Sequence, residues 1–381
     1  MQLGANGLAL GPIWASATHG YDIVDHDAID ARLGDDGDFD ELVAACRASG
    51  LRLLLDGVFN HVASAHPDVE AARRDGPDSP SGRLFRHDPG RPDGLARFEG
   101  HDGLVEYDHS NPAVVERVAA TMIRWLRRGA DGWRLDAAYR VPREFWAEVM
   151  QRVGAEFPDA VIVAEVLHGD YGAFAEAAGI GSVTQYELWK ALWSALKDHN
   201  PHELLWALQR HGAALDARRG RFLPWTFVGN HDVTRIATQV GPHDALVATA
   251  LLMALPGMPA IYYGDEFGAI GLKEERVGGD DAIRPPLPGE PRSAWEPVAD
   301  PAAQAETYRQ HQLLVGLRRR HMWVQQGGLT ILERGPKRLR YRVDDPTSGT
   351  GSPRWLDVSL DTAGDDARLV IADGSGVLYA I

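Results

Sequence analysis

Three carboxylates end apolar, β-type runs in this chain: Asp136 in GWRLDA (132–137), Glu165 in VIVAEV (161–166) and Asp232 in FVGNHD (227–232). Successive strand ends of a parallel barrel can bring such groups onto one substrate. The chemistry that suits them is cleavage of a glycosidic bond, in which an acid protonates the leaving oxygen while a second carboxylate attacks the anomeric carbon or activates water. Asp136 and Glu165 can fill these two parts. A retaining pair lies about 5–5.5 Å apart, a span that the ends of adjacent strands can bridge.

Arg134 stands two positions before Asp136, so on a strand both side chains share a face. A guanidinium there would lower the pKa of Asp136 and keep it ionised, as a nucleophile requires. Glu165 is flanked by Val163, Ala164, Val166 and Leu167; an apolar setting would favour the protonated form of a general acid. His61 and His231 are donors suited to sugar hydroxyls, and Tyr21 offers a ring for a pyranose face. Structural readings stand beside these. A strand-end Asp can cap the next helix, Glu165 could be a buried salt-bridged group, and Tyr21 could be simple packing. Asp56, before Gly57, reads as a turn-stabilising carboxylate, and His168, His199 and His211 as surface or loop residues.

The elements that must hold these residues alternate between strands and helices, the pattern of βα units around a parallel sheet. Strands are expected at 8–14, 51–59, 132–135, 160–166, 183–188, 221–228 and 258–264, and helices near 38–50 (capped by Asp38), 112–128, 142–156, 189–197, 202–215, 243–254 and 301–320. Residues 62–108 break the rhythm and read as an inserted loop subdomain. From 322 onward short alternating runs predict a small antiparallel β domain. The expected division is therefore a (β/α)8-type barrel over 1–321 and a β domain over 322–381. Seven runs fit the barrel where eight are needed, and the missing strand should precede Met1. On that count the 381-residue chain expressed alone is expected to be poorly soluble or inactive, because an open barrel exposes strand edges.

At 44% apolar residues the chain can bury a large core. A net charge of −15 leaves no basic footprint for nucleic acid or anionic lipid. Cys46 is the only cysteine, which rules out an internal disulfide and a thiol metal cluster and favours a reducing, cytoplasmic setting. No signal-peptide pattern opens the sequence, although a lost N-terminus could hide one.

The motifs taken together resemble the α-amylase family (glycoside hydrolase family 13). DGVFNH (56–61), GWRLDA, Glu165 in VAEV and FVGNHD occur in family order, with ALGPIW (9–14) and HGYD (19–22) before them and GMPAIYYGDE (257–266) after them. The resemblance implies a (β/α)8 barrel with a loop domain after its third strand and a C-terminal β domain. It implies Asp136 as nucleophile, Glu165 as general acid and base, and Asp232 as the carboxylate gripping sugar hydroxyls. Tyr21, His61, Arg134 and His231 would line the subsite where the bond breaks, and an α-glucan or α-glucoside would be the substrate. Glu106 in LVEYD replaces a common calcium-binding Asp, and Asn60 alone makes a weak site; no metal or other cofactor is expected. The short insertion points to small substrates. A transglycosylase or trehalose-forming enzyme would share every residue named. A non-catalytic glucan-binding or scaffold protein usually lacks one of the three carboxylates, all of which are present.

Overall fold

The computed structural model describes residues 2–276, 278–287, 300–347 and 353–381. The chain divides into two compact units, Ala5–Val183 and Met1–Gly4 with Thr184–Ile381.

The first unit contains β1 (Gly7–Ala9), β2 (Trp14–Ser16), β3 (Ile23–Ile29), α1 (Asp36–Ala48), β4 (Arg52–Gly57), β5 (His61–Ala63) and α2 (Pro67–Asp75). It continues with β6 (Leu104–Glu106), α3 (Pro112–Arg128), β7 (Gly132–Leu135), α4 (Arg143–Glu156), β8 (Val161–Ala164), α5 (Tyr171–Ala178) and β9 (Ser182–Val183). Five strands form a parallel sheet in the order β1-β4-β7-β8-β9. Its register sets Asp56 of β4 beside Arg134 of β7. Gly132 lets β7 meet β8: a Cβ there would lie 2.1 Å from the Val161 carbonyl oxygen, so no side chain fits.

Helix α3 starts and stops where the sequence places it. Asn111 accepts from the Ala113 N–H at 2.9 Å, Pro112 opens the helix, and Gly129 ends it in the left-handed region at φ +117°. Its stripe of Val114, Val118, Met122 and Trp125 is buried, and Trp125 meets Trp14 and Phe39 edge-on. Helix α1 departs from expectation. Asp35, not Asp38, is its N-cap, and Asp38 returns a bond to the Asp35 N–H at 2.9 Å in a capping box. The segment 62–108 is less irregular than it reads, since it holds α2 and the antiparallel pair β5–β6.

The second unit contains α6 (Tyr186–Lys197), α7 (His202–Ala217), β10 (Trp225–Phe227), α8 (Ile236–Val240), α9 (Pro242–Ala254), β11 (Met258–Ala260) and α10 (Pro301–Arg320). β10 and β11 pair in parallel, and Thr184 bridges to Trp225 in the same sense. A five-stranded antiparallel sheet follows in sequence order: β12 (Gly328–Arg334), β13 (Arg338–Asp344), β14 (Trp355–Asp361), β15 (Arg368–Asp373) and β16 (Gly376–Ala380). Its buried face, with Tyr341, Val343, Val358, Leu360, Leu369 and Ile371, shares a core with Leu251 and Leu252 of α9 and Leu314 of α10. The expected strand at 183–188 is not formed. Pairing covers Ser182–Thr184, and helix α6 takes over at Tyr186, because its apolar positions Leu188, Ala191, Leu192 and Ala195 recur at helical spacing.

His211 is a core residue of α7, not a surface histidine. Its Nε2 lies 2.9 Å from the Pro256 carbonyl oxygen, and burial lowers its pKa to about 4 from the usual 6.5. The unfolded chain therefore takes up a proton first as pH falls, so the stability His211 provides is complete above pH 6.5 and is lost down to about pH 4. The stability difference between wild type and His211→Gln should shrink by about 3 kcal/mol between pH 7 and pH 4, read by urea unfolding at each pH. A difference independent of pH would contradict a buried neutral imidazole.

Candidate active site

Side chains of β4 and β7 that face one way must be mutually compatible, since the parallel sheet leaves them little access to water. Asp56 and Arg134 meet this demand as a pair. Arg134 Nη1 donates to Asp56 Oδ1 at 2.8 Å and Oδ2 at 3.0 Å. Two positions on, past the end of β7, Asp136 Oδ1 accepts from the same nitrogen at 2.9 Å. The other nitrogen, Nη2, lies 2.8 Å from Glu165 Oε1 beyond the end of β8. One guanidinium thus holds three buried carboxylates. Burial opposes the charge on Arg134, but Asp56, Glu165 and Asp136 outweigh it and hold its proton well above the ordinary range.

Backbone bonds continue the ladder past the strands and fix these two carboxylates. The Asp136 N–H donates to the Gly57 carbonyl at 2.9 Å, and the Glu165 N–H to the Leu135 carbonyl at 3.0 Å. Ala137 then turns into the left-handed region at φ 46°, unusual for a residue with a Cβ. That turn directs its N–H to Glu165 Oε2 at 2.8 Å.

Two expectations need correcting here. Asp56 is not a turn carboxylate. It lies within β4, only 3% exposed, and also accepts from the Tyr21 hydroxyl at 2.9 Å. Burial raises its pKa to about 6 against the pull of Arg134 and Tyr21. The sequence held a usable signal: a carboxylate inside the buried run LLLDGVF needs a partner, and Arg134 is a cation on a neighbouring run. The second correction concerns Glu165. Its surroundings are not apolar, because both carboxyl oxygens accept from donors, one of them cationic.

His61 is 1% exposed and stacked on Phe98 at 4.5 Å. Its Nε2 sits 3.1 Å from the Tyr21 carbonyl oxygen and its Nδ1 3.2 Å from Asn60 Nδ2, which fixes a neutral tautomer with the proton on Nε2. Burial lowers its pKa to about 4. In this state its N–H is spent on Tyr21, and the Tyr21 hydroxyl on Asp56. Glu106, at the expected calcium position, accepts from Arg86 at 2.7 Å.

His231 and Asp232 belong to the second unit. His231 Nε2 is 3.2 Å from Asp232 Oδ2, and the Asp232 N–H donates to Asn230 Oδ1 at 2.9 Å. Arg284 completes this group: its Nε donates to the His231 carbonyl at 2.8 Å, and Nη2 reaches Asp232 Oδ1 at 3.1 Å and Asp280 Oδ2 at 3.0 Å. Nothing in the local pattern around Arg284 announces this part. Below it lies a buried pair in which Arg235 Nη1 meets Asp265 Oδ1 at 2.8 Å and Nη2 donates to the Ile283 carbonyl at 2.9 Å. The pair therefore braces the residue that precedes Arg284. Asp265 in turn requires Gly229, where a Cβ would lie 2.8 Å from its Oδ2.

A family model described as the alpha amylase catalytic domain matches residues 1–325. An intracellular maltogenic amylase of Bacillus subtilis is 29% identical over 276 residues, covering 71% of this chain and 47% of that protein. Neopullulanase 2 of Thermoactinomyces vulgaris is 30% identical over 288 residues, 72% of this chain and 48% of that protein. The chain spans about half the length of these relatives. Among solved structures, an α-amylase from H. orenii superposes with a TM-score of 0.80 at 26% identity, over 94% of this chain and 80% of that one. The shared fold is the expected (β/α)8-type barrel with a C-terminal antiparallel β domain.

Proposed function

This chain belongs to the α-amylase family of glycoside hydrolases, and from that premise we propose that it is a retaining α-glycoside hydrolase acting on malto-oligosaccharides or related α-glucosides. The observation that carries the reading is the guanidinium shared by Asp136 and Glu165, which holds two carboxyls side by side as a double displacement needs. In this reading Asp136 attacks the anomeric carbon. Glu165 gives its proton to the leaving oxygen and then takes one from the water that frees the sugar. Asp232, steadied by Arg284, grips the sugar hydroxyls of the distorted ring, and Tyr21, His61, Arg134 and His231 line the subsite where the bond breaks. We take 1–321 as the catalytic portion, with 62–108 shaping its cleft, and 322–381 as the β domain. A cytoplasmic location fits the lone cysteine and the relative named as intracellular.

The test is product analysis on maltose, maltotriose, starch and trehalose, with proton NMR of the first sugar released from maltotriose. The expected outcome is free sugars whose first-formed anomer is α. A β anomer would overturn the assigned roles, and longer oligosaccharides in place of free sugars would make the protein a transglycosylase.

A further inference from the structure

We propose that the leaving-group side of this site takes an anionic aglycone, a leaving portion bearing a carboxylate or phosphate; the inference rests on the hydrolase reading above. A cavity of about 540 Å³ is walled by residues that include Tyr139, Arg140, Arg143, Glu144, His168 and Phe174. It adjoins Glu165. The Tyr139 N–H donates to the Glu165 carbonyl at 3.2 Å, and Val166 and His168, which also line the cavity, follow Glu165 in the chain. A general acid protonates the oxygen that departs with the aglycone, so the aglycone must sit on the Glu165 side, where this cavity lies.

Its charge runs against that of the chain. In a protein of net charge −15, the wall carries two arginines and a histidine against a single carboxylate, Glu144. The guanidinium of Arg143 lies 5.6 Å from the centroid of the Phe174 ring and has no ion-pair partner among the described residues. Among the described residues Arg140 reaches only Glu106, at 3.9 Å, and Glu106 is already held by Arg86 at 2.7 Å. Most other arginines on this unit are ion-paired, as Arg127 is with Glu156 and Arg152 with Glu116. Two cations left without close partners on one cavity wall are suited to charge-assisted bonds with an anion, while the tyrosine and phenylalanine rings suit a sugar face.

Matched substrate pairs test this. Maltobionate and maltitol are α-1,4-glucosides with open-chain leaving groups, one anionic and one neutral. In each, water is added, the C1–O4 bond breaks, the leaving O4 takes the proton of Glu165, and glucose is released with gluconate or sorbitol. Trehalose 6-phosphate and trehalose provide the same contrast for phosphate. At low salt, kcat/KM should be about fivefold higher for the anionic member of at least one pair, and which pair responds identifies the carboxylate or the phosphate. The ratio should fall toward one at about 1 M salt and in Arg143→Gln and Arg140→Gln, while Arg143→Lys, which keeps the charge, retains it. Equal rates within both pairs would overturn the inference and leave the hydrolase reading intact. Cleavage of none of the four, nor of maltotriose, would overturn that reading and the inference with it.

Discussion

Replacing Asp136 by alanine is expected to lower kcat on maltotriose by about 10⁴-fold or more, and azide should restore part of the turnover while changing its stereochemistry. Without the Asp136 side chain, azide can enter from the vacated face and displace the leaving group once, giving the β-glycosyl azide from an α-glucoside. Replacing Glu165 by alanine gives the opposite signature. The glycosyl enzyme still forms on substrates with good leaving groups, azide takes the place of water in the second displacement, and the product is the α-glycosyl azide. The pair of outcomes separates nucleophile from acid in a way that a loss of rate cannot. The fold should survive either change, because Arg134 retains two of its three carboxylate partners. Full activity in the Asp136→Ala protein would remove it from the mechanism.

Arg134→Met should be the most destabilising single change near the site. It strands Asp56, Asp136 and Glu165, all less than a tenth exposed, and breaking a buried ion pair by removing one partner costs about 3–5 kcal/mol. The Arg134 side chain is 13% exposed, so solvent screening reduces this only slightly. Part of the loss should return at pH 5. Burial already raises Asp56 to about pKa 6, and without the guanidinium its neutral form gains further, so protonation relieves the stranded charge. Urea unfolding of the Arg134→Met and Arg134→Met/Asp56→Asn proteins at pH 8 and pH 5 reads both effects. The double variant should be more stable than the single one at pH 8, and the gap should narrow at pH 5. An unchanged unfolding midpoint for Arg134→Met would mean that the guanidinium is not the anchor of this cluster.

The elements that could be read from sequence are those whose signals are local. Helix α3 has a cap, an N-terminal proline and a terminal glycine, and the C-terminal strands alternate with a period of two. β7 and β8 are short apolar runs bounded by turns. Most of what escaped depends on contacts between distant residues. The run 183–188 has strand-like composition, yet helical packing of Leu188, Leu192 and Ala195 governs most of it. Asp35 and Asp38 are equally good caps by type, and the capping box uses both. At the site, strand-end position and spacing pointed to Asp136, Glu165 and Arg134, but not to the fact that a single guanidinium would serve both carboxyls and Asp56 as well. Arg284 lay beyond reach, since its link to Asp232 spans 52 positions.

The contact between Gly229 and Asp265 restricts how this sequence can drift. A methyl group at 229 would press on Asp265 Oδ2, and the Oδ1 of that carboxyl is tied to the fully buried Arg235. A side chain at 229 therefore meets the Asp265 carboxylate, a contact that is relieved once position 265 has shortened. Shortening Asp265 in turn unpairs Arg235, which also braces the carbonyl beside Arg284. Gly229 and Asp265, far apart in the chain, are thereby coupled, and a side chain at 229 is expected to be tolerated better once position 265 has been shortened.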